Sequence, residues 1–324
     1  MCTAVSLCAN SHYFGRNLDL EHSYQEAVTV VPRNFPLPFC QKETIYHHYA
    51  MIGMAITVNG YPLLFDATNE KGLSMAGLNF PGNAYYFPVD KSKDNITPFE
   101  FIPWILSQCI TVTQAEALLK KINICNISFN ADYPLSPLHW IISDKDKSIV
   151  VESVKEGLKI YDDPIGVLTN NPPFDYHLYN LSNYLKCTSE IAQDHFSKTF
   201  NIEPFSKGMG AIGLPGDYSS ASRFVKAAFV KGNTLVSPNE SENICAFFRI
   251  LDSVAMPNGC VETEYGYETT LYSSCCDTDR GIYYYTTQYN RSITAINLYN
   301  TDLNTDNIKQ FPLRNSQNIF WEKP

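Results

Sequence analysis

Apolar and polar residues alternate loosely near both ends of the chain, with the period of two that is typical of β-strands. The runs at 3–10 and 13–20 flank a polar Ala-Asn-Ser-His turn, which predicts a hairpin at the start of the chain. Apolar and β-branched runs predict further strands at 27–32, 50–58, 61–65, 73–78, 269–275, 281–287 and 293–299. Both ends of the chain are therefore expected to form sheet.

Helix signals are concentrated in the middle of the chain. Thr97 and Glu100 form a capping-box pattern with Pro98 at the first helical position, and a second box is predicted at Thr113 and Glu116. Helical patterns also occur near 175–185, 222–230 and 244–254, and strand-like runs at 139–143, 148–154 and 166–168. With no regular βαβ alternation, this order predicts a layered α+β fold.

Composition indicates a globular protein and narrows its partners. Hydrophobic residues make up 44% of the 324 residues and charged residues 18%, and no stretch resembles a linker, so we expect one domain over 1–324. A formal net charge of -9 argues against nucleic acid as a partner, because phosphate backbones require clustered Lys and Arg. An anionic small molecule stays compatible with this charge, since one arginine in a cleft can bind it.

The start of the chain has neither a basic leader nor a long apolar segment, and no run of about 18 apolar residues suggests a membrane span. The ten cysteines are therefore interpreted as reduced thiols rather than as a disulfide framework. We expect a cytoplasmic protein without stable membrane insertion.

Cys2 is the residue with the most distinctive chemistry. Removal of Met1 would place a thiol and a free α-amine on one residue. The reference pKa of an α-amine is about 7.7–8.0 and that of a cysteine thiol is about 8.5, so the amine can accept the thiol proton. The position alone favours a buried structural cysteine, so the case for a nucleophile depends on the residues around it.

Charged and polar residues near predicted strand ends could complete such a site. Arg16 could stabilise a thiolate and Asp19 could orient the α-amine, although an ordinary ion pair explains them as well. Asn79 and Asn170 follow apolar strands and precede loops that contain proline, where they could donate to an oxyanion or simply form turns. Arg223 in the first turn of a predicted helix could serve the site or face solvent.

Three other patterns do not support a site. The glycines at 208–213 match G-x-G-x-x-G, but no strand precedes them and no helix follows, so we expect no dinucleotide. The cysteines and histidines lack zinc spacing, and no metal is expected. His139 is the best partner for a Cys-His dyad, yet its position in an apolar strand favours a structural role.

Ordered sequence blocks along most of the chain resemble the choloylglycine hydrolase family, and within it the bile salt hydrolases. The blocks read MCT at 1–3, FGRNLD at 14–19, NEKGL at 69–73, AGLNF at 76–80, VLTNNP at 167–172, GLPGD at 213–217 and GIYYY at 281–285. The resemblance implies an N-terminal nucleophile hydrolase fold, a four-layer αββα sandwich of two antiparallel sheets between helical layers.

The resemblance also implies roles for individual residues. Cys2 would attack the amide with its own α-amine as base, while Arg16 and Asp19 hold the thiol and the amine. Asn79 would lend a backbone N–H and Asn170 a side-chain N–H to the oxyanion. Arg223 matches an arginine at the back of that site, and no metal or organic cofactor is implied.

The implied reaction is hydrolysis of glycine- and taurine-conjugated bile salts through a thioester on Cys2. Penicillin V acylases of the same family commonly carry tyrosine where this chain has Asn79, which favours bile salts. Penicillin V acylase activity, and a noncatalytic thiol protein, are the alternatives. Candidates for a steroid pocket are Leu18, Tyr24, Phe65 and Phe80, although such residues usually belong to a core. A homotetramer assembled through residues 183–213 is also implied.

Overall fold

Two antiparallel sheets lie face to face between helices in a computed structural model that describes residues 1–323. In chain order the strands are β1 (Cys2–Cys8), β2 (His12–Leu20), β3 (Ala27–Val31), β4 (Leu37–Phe39), β5 (Lys42–Ile45), β6 (Met51–Val58), β7 (Tyr61–Asn69), β8 (Ser74–Asn79), β9 (Asp94–Ile96), β10 (Ile122–Ile124), β11 (Leu138–Ser143), β12 (Ser148–Val154), β13 (Gly157–Asp162), β14 (Val167–Leu168), β15 (Glu262–Thr263), β16 (Gly266–Tyr267), β17 (Thr269–Asp277), β18 (Ile282–Thr287), β19 (Asn290–Asn297) and β20 (Lys309–Pro312).

In chain order, the helices lie between the long strands of the first third of the chain and those of the last third, as predicted. They are α1 (Phe101–Gln108), α2 (Val112–Leu119), α3 (Phe174–Asn180), α4 (Ser220–Asn233) and α5 (Glu240–Asp252), with short 3₁₀ helices at Pro98–Glu100, Leu181–Tyr184, Met209–Ala211 and Leu298–Asn300. The capping box at Thr97 and Glu100 is confirmed. The box predicted at Thr113 is wrong, because Thr111 caps α2 and its hydroxyl accepts from Gln114 N.

The six-stranded sheet is built around the N-terminal hairpin. Its strand order is β14-β1-β2-β17-β18-β19, so β1 lies between β14 and β2. The register places Cys2 opposite Leu18, and Ala4 opposite both Arg16 and Leu168. The first and last thirds of the chain therefore share one sheet.

The eight-stranded sheet has the order β13-β12-β11-β8-β7-β6-β3-β20. A bulge on β7 leaves Phe65 unpaired, since Asp66 lies opposite Met54 and Leu64 lies opposite Ala55. The pairing of β7 with β8 ends at the neighbouring pair of Asp66 and Ala76. Beyond this pair β7 and β8 separate, which leaves a gap at the edge of the ladder.

Apolar residues fill the space between the layers. One buried cluster joins the two sheets and extends to α4 and α5, whereas a second lies between the eight-stranded sheet and α1 with α2. The structure therefore has the αββα layering that the sequence implied. The strands β13 and β20, which the alternation did not predict, are partly exposed edge strands whose side chains carry little apolar signal.

Candidate active site

Cys2 is the first residue of β1 and only 2% of its surface is exposed. It lies between Leu18 on β2 and Asn170, which follows β14 where the pairing with β1 would continue. Met1 precedes Cys2 in this structure, so Cys2 N is a peptide nitrogen, and it donates to Asn170 Oδ1 at 2.8 Å. Two strands and one loop therefore fix this residue.

Arg16 lies in the gap between β7 and β8. Its Nη1 donates to Phe65 O at 3.0 Å and to Gly77 O at 2.6 Å, the carbonyl groups that follow the last pair of the ladder. The guanidinium thus satisfies backbone oxygens that the separation of the strands leaves unpaired. Its Nη2 is buried and has no hydrogen-bond partner within residues 1–323.

The surroundings of Arg16 favour its charged form. Burial lowers its pKa, but the charges of Cys2, Tyr272, Asp66 and Asp19 act more strongly, and the net effect raises the pKa above its usual range. Arg16 is therefore a buried cation on the wall of the cavity that also contains Cys2.

Asp19 and Arg223 lie on the opposite face of the six-stranded sheet from Arg16. Side chains three residues apart on a strand point to opposite faces, which separates Asp19 from Arg16. Asp19 Oδ1 accepts from Thr270 Oγ1 at 2.6 Å, and Asp19 Oδ2 lies 4.0 Å from Arg223 Nη1. Burial raises the pKa of Asp19, although Arg223 and the N-terminal amine oppose this shift.

Arg223 connects α4 to the start of β1. Its Nη1 donates to Cys2 O at 2.6 Å and to Thr3 Oγ1 at 2.7 Å, while its Nη2 donates to Asn170 Oδ1 at 2.8 Å. Burial lowers the pKa of Arg223, and Asp19 and Cys2 oppose the shift. The arginine is 1% exposed, so the surface reading of this residue is wrong.

A hydrogen bond joins Asn170 to Asn79, the other asparagine that the sequence indicated as a candidate. Its Nδ2 donates to Asn79 O at 2.7 Å, which uses one of the two hydrogens of the amide. Asn79 ends β8 opposite Leu138, and the next residue, Phe80, donates its N–H to Pro137 O on the side of β11. Because successive N–H groups of a strand point to opposite sides, Asn79 N–H points to the side where the pairing with β7 has ended.

A cavity of about 320 Å³ adjoins Cys2 and Arg16. Three of the four predicted pocket residues, Leu18, Tyr24 and Phe65, line it. Phe80 does not line it: its ring is fully buried and stacks on His139, with the centroids 4.3 Å apart. Phe80 therefore belongs to the core.

The cavity extends through the gap between β7 and β8. Cys2 and Leu18 belong to the cluster between the sheets, whereas Ile102 and Trp140 belong to the cluster beneath α1, and all four line the same cavity. No sequence pattern predicted the part of the lining that comes from the loop at 129–136 and from α1. A long apolar group could thus extend from Cys2 toward α1.

His139 has a structural role. Its Nδ1 lies 3.1 Å from Glu152 Oε1 and its Nε2 lies 3.0 Å from Thr169 O, so both ring nitrogens are engaged. Three residues that the sequence did not indicate form hydrogen bonds with the site residues. Thr3 Oγ1 accepts from Arg223, Thr270 Oγ1 donates to Asp19, and Ser220 Oγ accepts from Asn170 N at 2.7 Å. The cluster of serines at the start of α4 was the available signal for the last contact.

Within residues 1–323 no group of three or more His, Cys, Asp or Glu side chains is arranged to share a metal ion. In the same part of the chain, no helix is both long and apolar enough to cross a bilayer.

The chain is similar in sequence and in fold to several known proteins. A family model described as linear amide C-N hydrolases, choloylglycine hydrolase family, matches residues 2–311. The bile salt hydrolase/transferase of Lactiplantibacillus plantarum is 51% identical over 99% of both chains. The crystal structure of a C2A mutant of conjugated bile acid hydrolase from Clostridium perfringens superposes with a TM-score of 0.92 at 36% identity and covers both chains completely. Penicillin V acylase from Agrobacterium tumefaciens shares the fold, with a TM-score of 0.76 at 20% identity over 96% of this chain and 91% of its own.

Proposed function

Because the chain belongs to the choloylglycine hydrolase family of linear amide C-N hydrolases, we propose that it hydrolyses the amide bond of glycine- and taurine-conjugated bile salts. The products are the free bile acid and the amino acid. Cys2, placed at the wall of a largely apolar cavity beside a buried arginine, is the observation that carries this proposal. The flat apolar acyl group would occupy the cavity, with its carbonyl carbon at the thiol.

The proposed reaction begins once Met1 has been removed. The α-amine of Cys2 accepts the thiol proton, and the sulfur attacks the carbonyl carbon of the substrate. The amine then returns the proton to the leaving nitrogen as the C–N bond breaks, which leaves a thioester and a free amino acid. Water, deprotonated by the same amine, attacks the thioester and releases the bile acid.

Two donors are assigned to the oxyanion that forms during each attack. They are Asn79 N–H, which points to the open side of β8, and the second hydrogen of Asn170 Nδ2. Both groups are held before substrate arrives. Asn79 is held by its pairing with Leu138, and Asn170 is held by Arg223 and Ser220. Fixed donors stabilise developing charge without reorganisation in the transition state.

The charged residues are assigned supporting roles. Arg16 stabilises the thiolate of Cys2 from the cavity side. Arg223 holds Cys2 O and Asn170 Oδ1, so it fixes the nucleophile and an oxyanion donor relative to each other. Asp19 lies on the same face as Arg223 and would orient the α-amine of Cys2 after removal of Met1.

We extend the proposal to assembly and location. Residues 183–213 expose several large apolar side chains, those of Leu185, Ile191, Phe196, Phe205 and Ile212, which a homotetramer would cover. All ten cysteines are free thiols, as expected for a cytoplasmic protein. Size-exclusion chromatography with light scattering tests the tetramer.

The test of the function combines intact mass with a paired assay. The mass establishes whether Met1 is absent, and glycine or taurine release from glycocholate and taurocholate measures the reaction. Cys2→Ala should abolish release, whereas Cys8→Ala, at the exposed end of the same strand, should retain it. Processed wild-type protein that leaves both bile salts intact would show the substrate to be wrong, and turnover of penicillin V instead would identify the acylase alternative.

A further inference from the structure

The buried carboxylate of Asp66 follows the peptide group that Arg16 contacts. Asp66 follows Phe65 on β7, and the carbonyl of Phe65 accepts from Arg16 Nη1, so the guanidinium contacts the peptide that leads into Asp66. The side chain of Asp66 extends across the interior to the six-stranded sheet. There Tyr272 OH donates to its Oδ2 at 2.8 Å and Tyr283 OH donates to its Oδ1 at 2.7 Å.

Two hydrogen bonds from hydroxyl groups stabilise the charged form of this carboxyl group. Burial raises the pKa of Asp66 and outweighs the opposing effects of Arg16, Tyr283 and Tyr272, so the net pKa lies above its usual value. Burial raises the pKa of Cys276 on β17 to about 12, and the charge of Asp66 acts in the same direction. Cys276 is therefore a neutral thiol and adds no charge near Asp66.

Arg16 has no carboxylate within salt-bridge distance among the described residues, although it is fully buried. Its guanidinium is held by carbonyl oxygens, and its charge is compensated by groups farther away, including Asp66. A buried charge without compensation is costly, so a negative group behind the arginine stabilises the arrangement.

We propose that Asp66 is a positioning residue for Cys2 chemistry: held by Tyr272 and Tyr283, it balances the charge of Arg16 and so sets the field that the arginine exerts on the thiolate. This inference rests on the proposed role of Cys2 as the nucleophile. Asp66 is not among the residues that line the substrate cavity, so its effect on Cys2 would be electrostatic rather than by contact with the substrate.

The sign of the effect follows from the charges. Asp66→Asn removes a negative charge but keeps the size of the side chain: the amide oxygen accepts from one tyrosine, and the amide NH₂ donates to the hydroxyl oxygen of the other. The potential at the thiol then becomes more positive, which favours the thiolate. A unit charge behind one intervening side chain changes a titration midpoint by about 0.5–1 pH unit at the effective dielectric of buried sites.

The experiment measures alkylation of Cys2 in the full-length processed protein. Iodoacetamide is added across a range of pH, and the mass of the N-terminal peptide gives the rate at Cys2 separately from the other cysteines. We expect Asp66→Asn to lower the pH midpoint of alkylation by about 0.5–1 unit, equivalent to roughly 3- to 10-fold faster reaction on the acidic side. The acidic limb of kcat/KM for glycocholate should move in the same direction.

Asp277→Asn is the matched control. Asp277 is another fully buried aspartate on the six-stranded sheet, but it lies opposite Tyr13, at the far end of the hairpin from Cys2. Its substitution should leave the midpoint unchanged. An unchanged or raised midpoint in Asp66→Asn, or an equal shift in Asp277→Asn, would overturn the inference.

A second variant protects the test against failure of folding. If Asp66→Asn does not fold, Tyr283→Phe removes one donor to Asp66, weakens its ionisation and should lower the midpoint by a smaller amount in the same direction. No shift in a folded Tyr283→Phe protein would also contradict the inference. Alkylation needs no bile salt, so failure to hydrolyse glycocholate would refute the proposed substrate without affecting this result.

Discussion

Asn170→Asp separates the proposed oxyanion role of Asn170 from its structural role. The aspartate has the same size and can still accept from Cys2 N and Arg223 Nη2, both 2.8 Å away in the native structure. It loses the donor to Asn79 O at 2.7 Å and the second hydrogen that is assigned to the oxyanion. The change therefore removes donors and keeps acceptors.

The two effects differ in size. Loss of one buried hydrogen bond costs about 1–3 kcal/mol, and the new charge pair with Arg223 offsets part of this, so the free energy of unfolding should fall by no more than about 2 kcal/mol. Loss of one oxyanion donor lowers kcat by about 10²–10³, which corresponds to about 2.7–4 kcal/mol in the activation barrier. The negative charge beside the oxyanion adds to this loss.

The assay follows glycine release from glycocholate at saturating substrate, together with urea unfolding. Asn171→Asp is the control, because the neighbouring amide lies outside the site and donates to Pro81 O. We expect the control to keep kcat within about threefold of wild type, given that surface substitutions typically change stability by about 0.5 kcal/mol or less. A folded Asn170→Asp enzyme with kcat within tenfold of wild type would refute the assignment of Asn170 to the oxyanion.

Three further predictions test the packing, the cavity and the titration behaviour. Gly15→Ala should give insoluble or unfolded protein, since the added Cβ would lie 1.9 Å from Ser274 O, and circular dichroism of the soluble fraction checks this. Phe65→Ala removes part of the apolar wall of the cavity and should raise KM for glycocholate roughly tenfold. Phe80→Ala truncates a core residue and should instead lower the free energy of unfolding by about 3–5 kcal/mol. Equal KM values for wild type and Phe65→Ala would contradict the cavity assignment. Burial lowers the pKa of His177 to about 4, so between about pH 6.5 and pH 4 the unfolded chain binds a proton that the folded protein does not. The free energy of unfolding should therefore decrease as the pH falls through this window, by about 2 kcal/mol at pH 5. Urea unfolding at pH 7 and pH 5 should show a smaller loss for His177→Gln than for wild type.

The local pattern of the sequence was sufficient for most helices and for the strands of both sheets except the edge strands β13 and β20. Alternation depends on residues two apart and helix capping on residues three apart, so neighbours along the chain carry this information. The same locality explains the error at Thr113, where Thr111 lies two residues earlier and offers an equally good cap. The polar edge strands β13 and β20 form only because a partner strand is present.

The chemistry proposed for Cys2 was also apparent from the sequence, because removal of Met1 would leave the thiol and the α-amine on one residue. The arrangement around it was not. The three-residue spacing of Arg16 and Asp19 on one strand places their side chains on opposite faces, but only the tertiary structure shows what each face meets, Gly77 on one side and Arg223 on the other.

The cavity was decided by tertiary structure alone. Phe65 and Phe80 are the same kind of residue, yet the bulge in the middle of β7 places the first at the cavity, whereas the hydrogen bond from Phe80 N to Pro137 O places the second in the core. A shift of one residue in a strand moves a side chain to the other face of the sheet. Sequence therefore determined which groups can react, whereas register and the separation of β7 from β8 determined which of them meet.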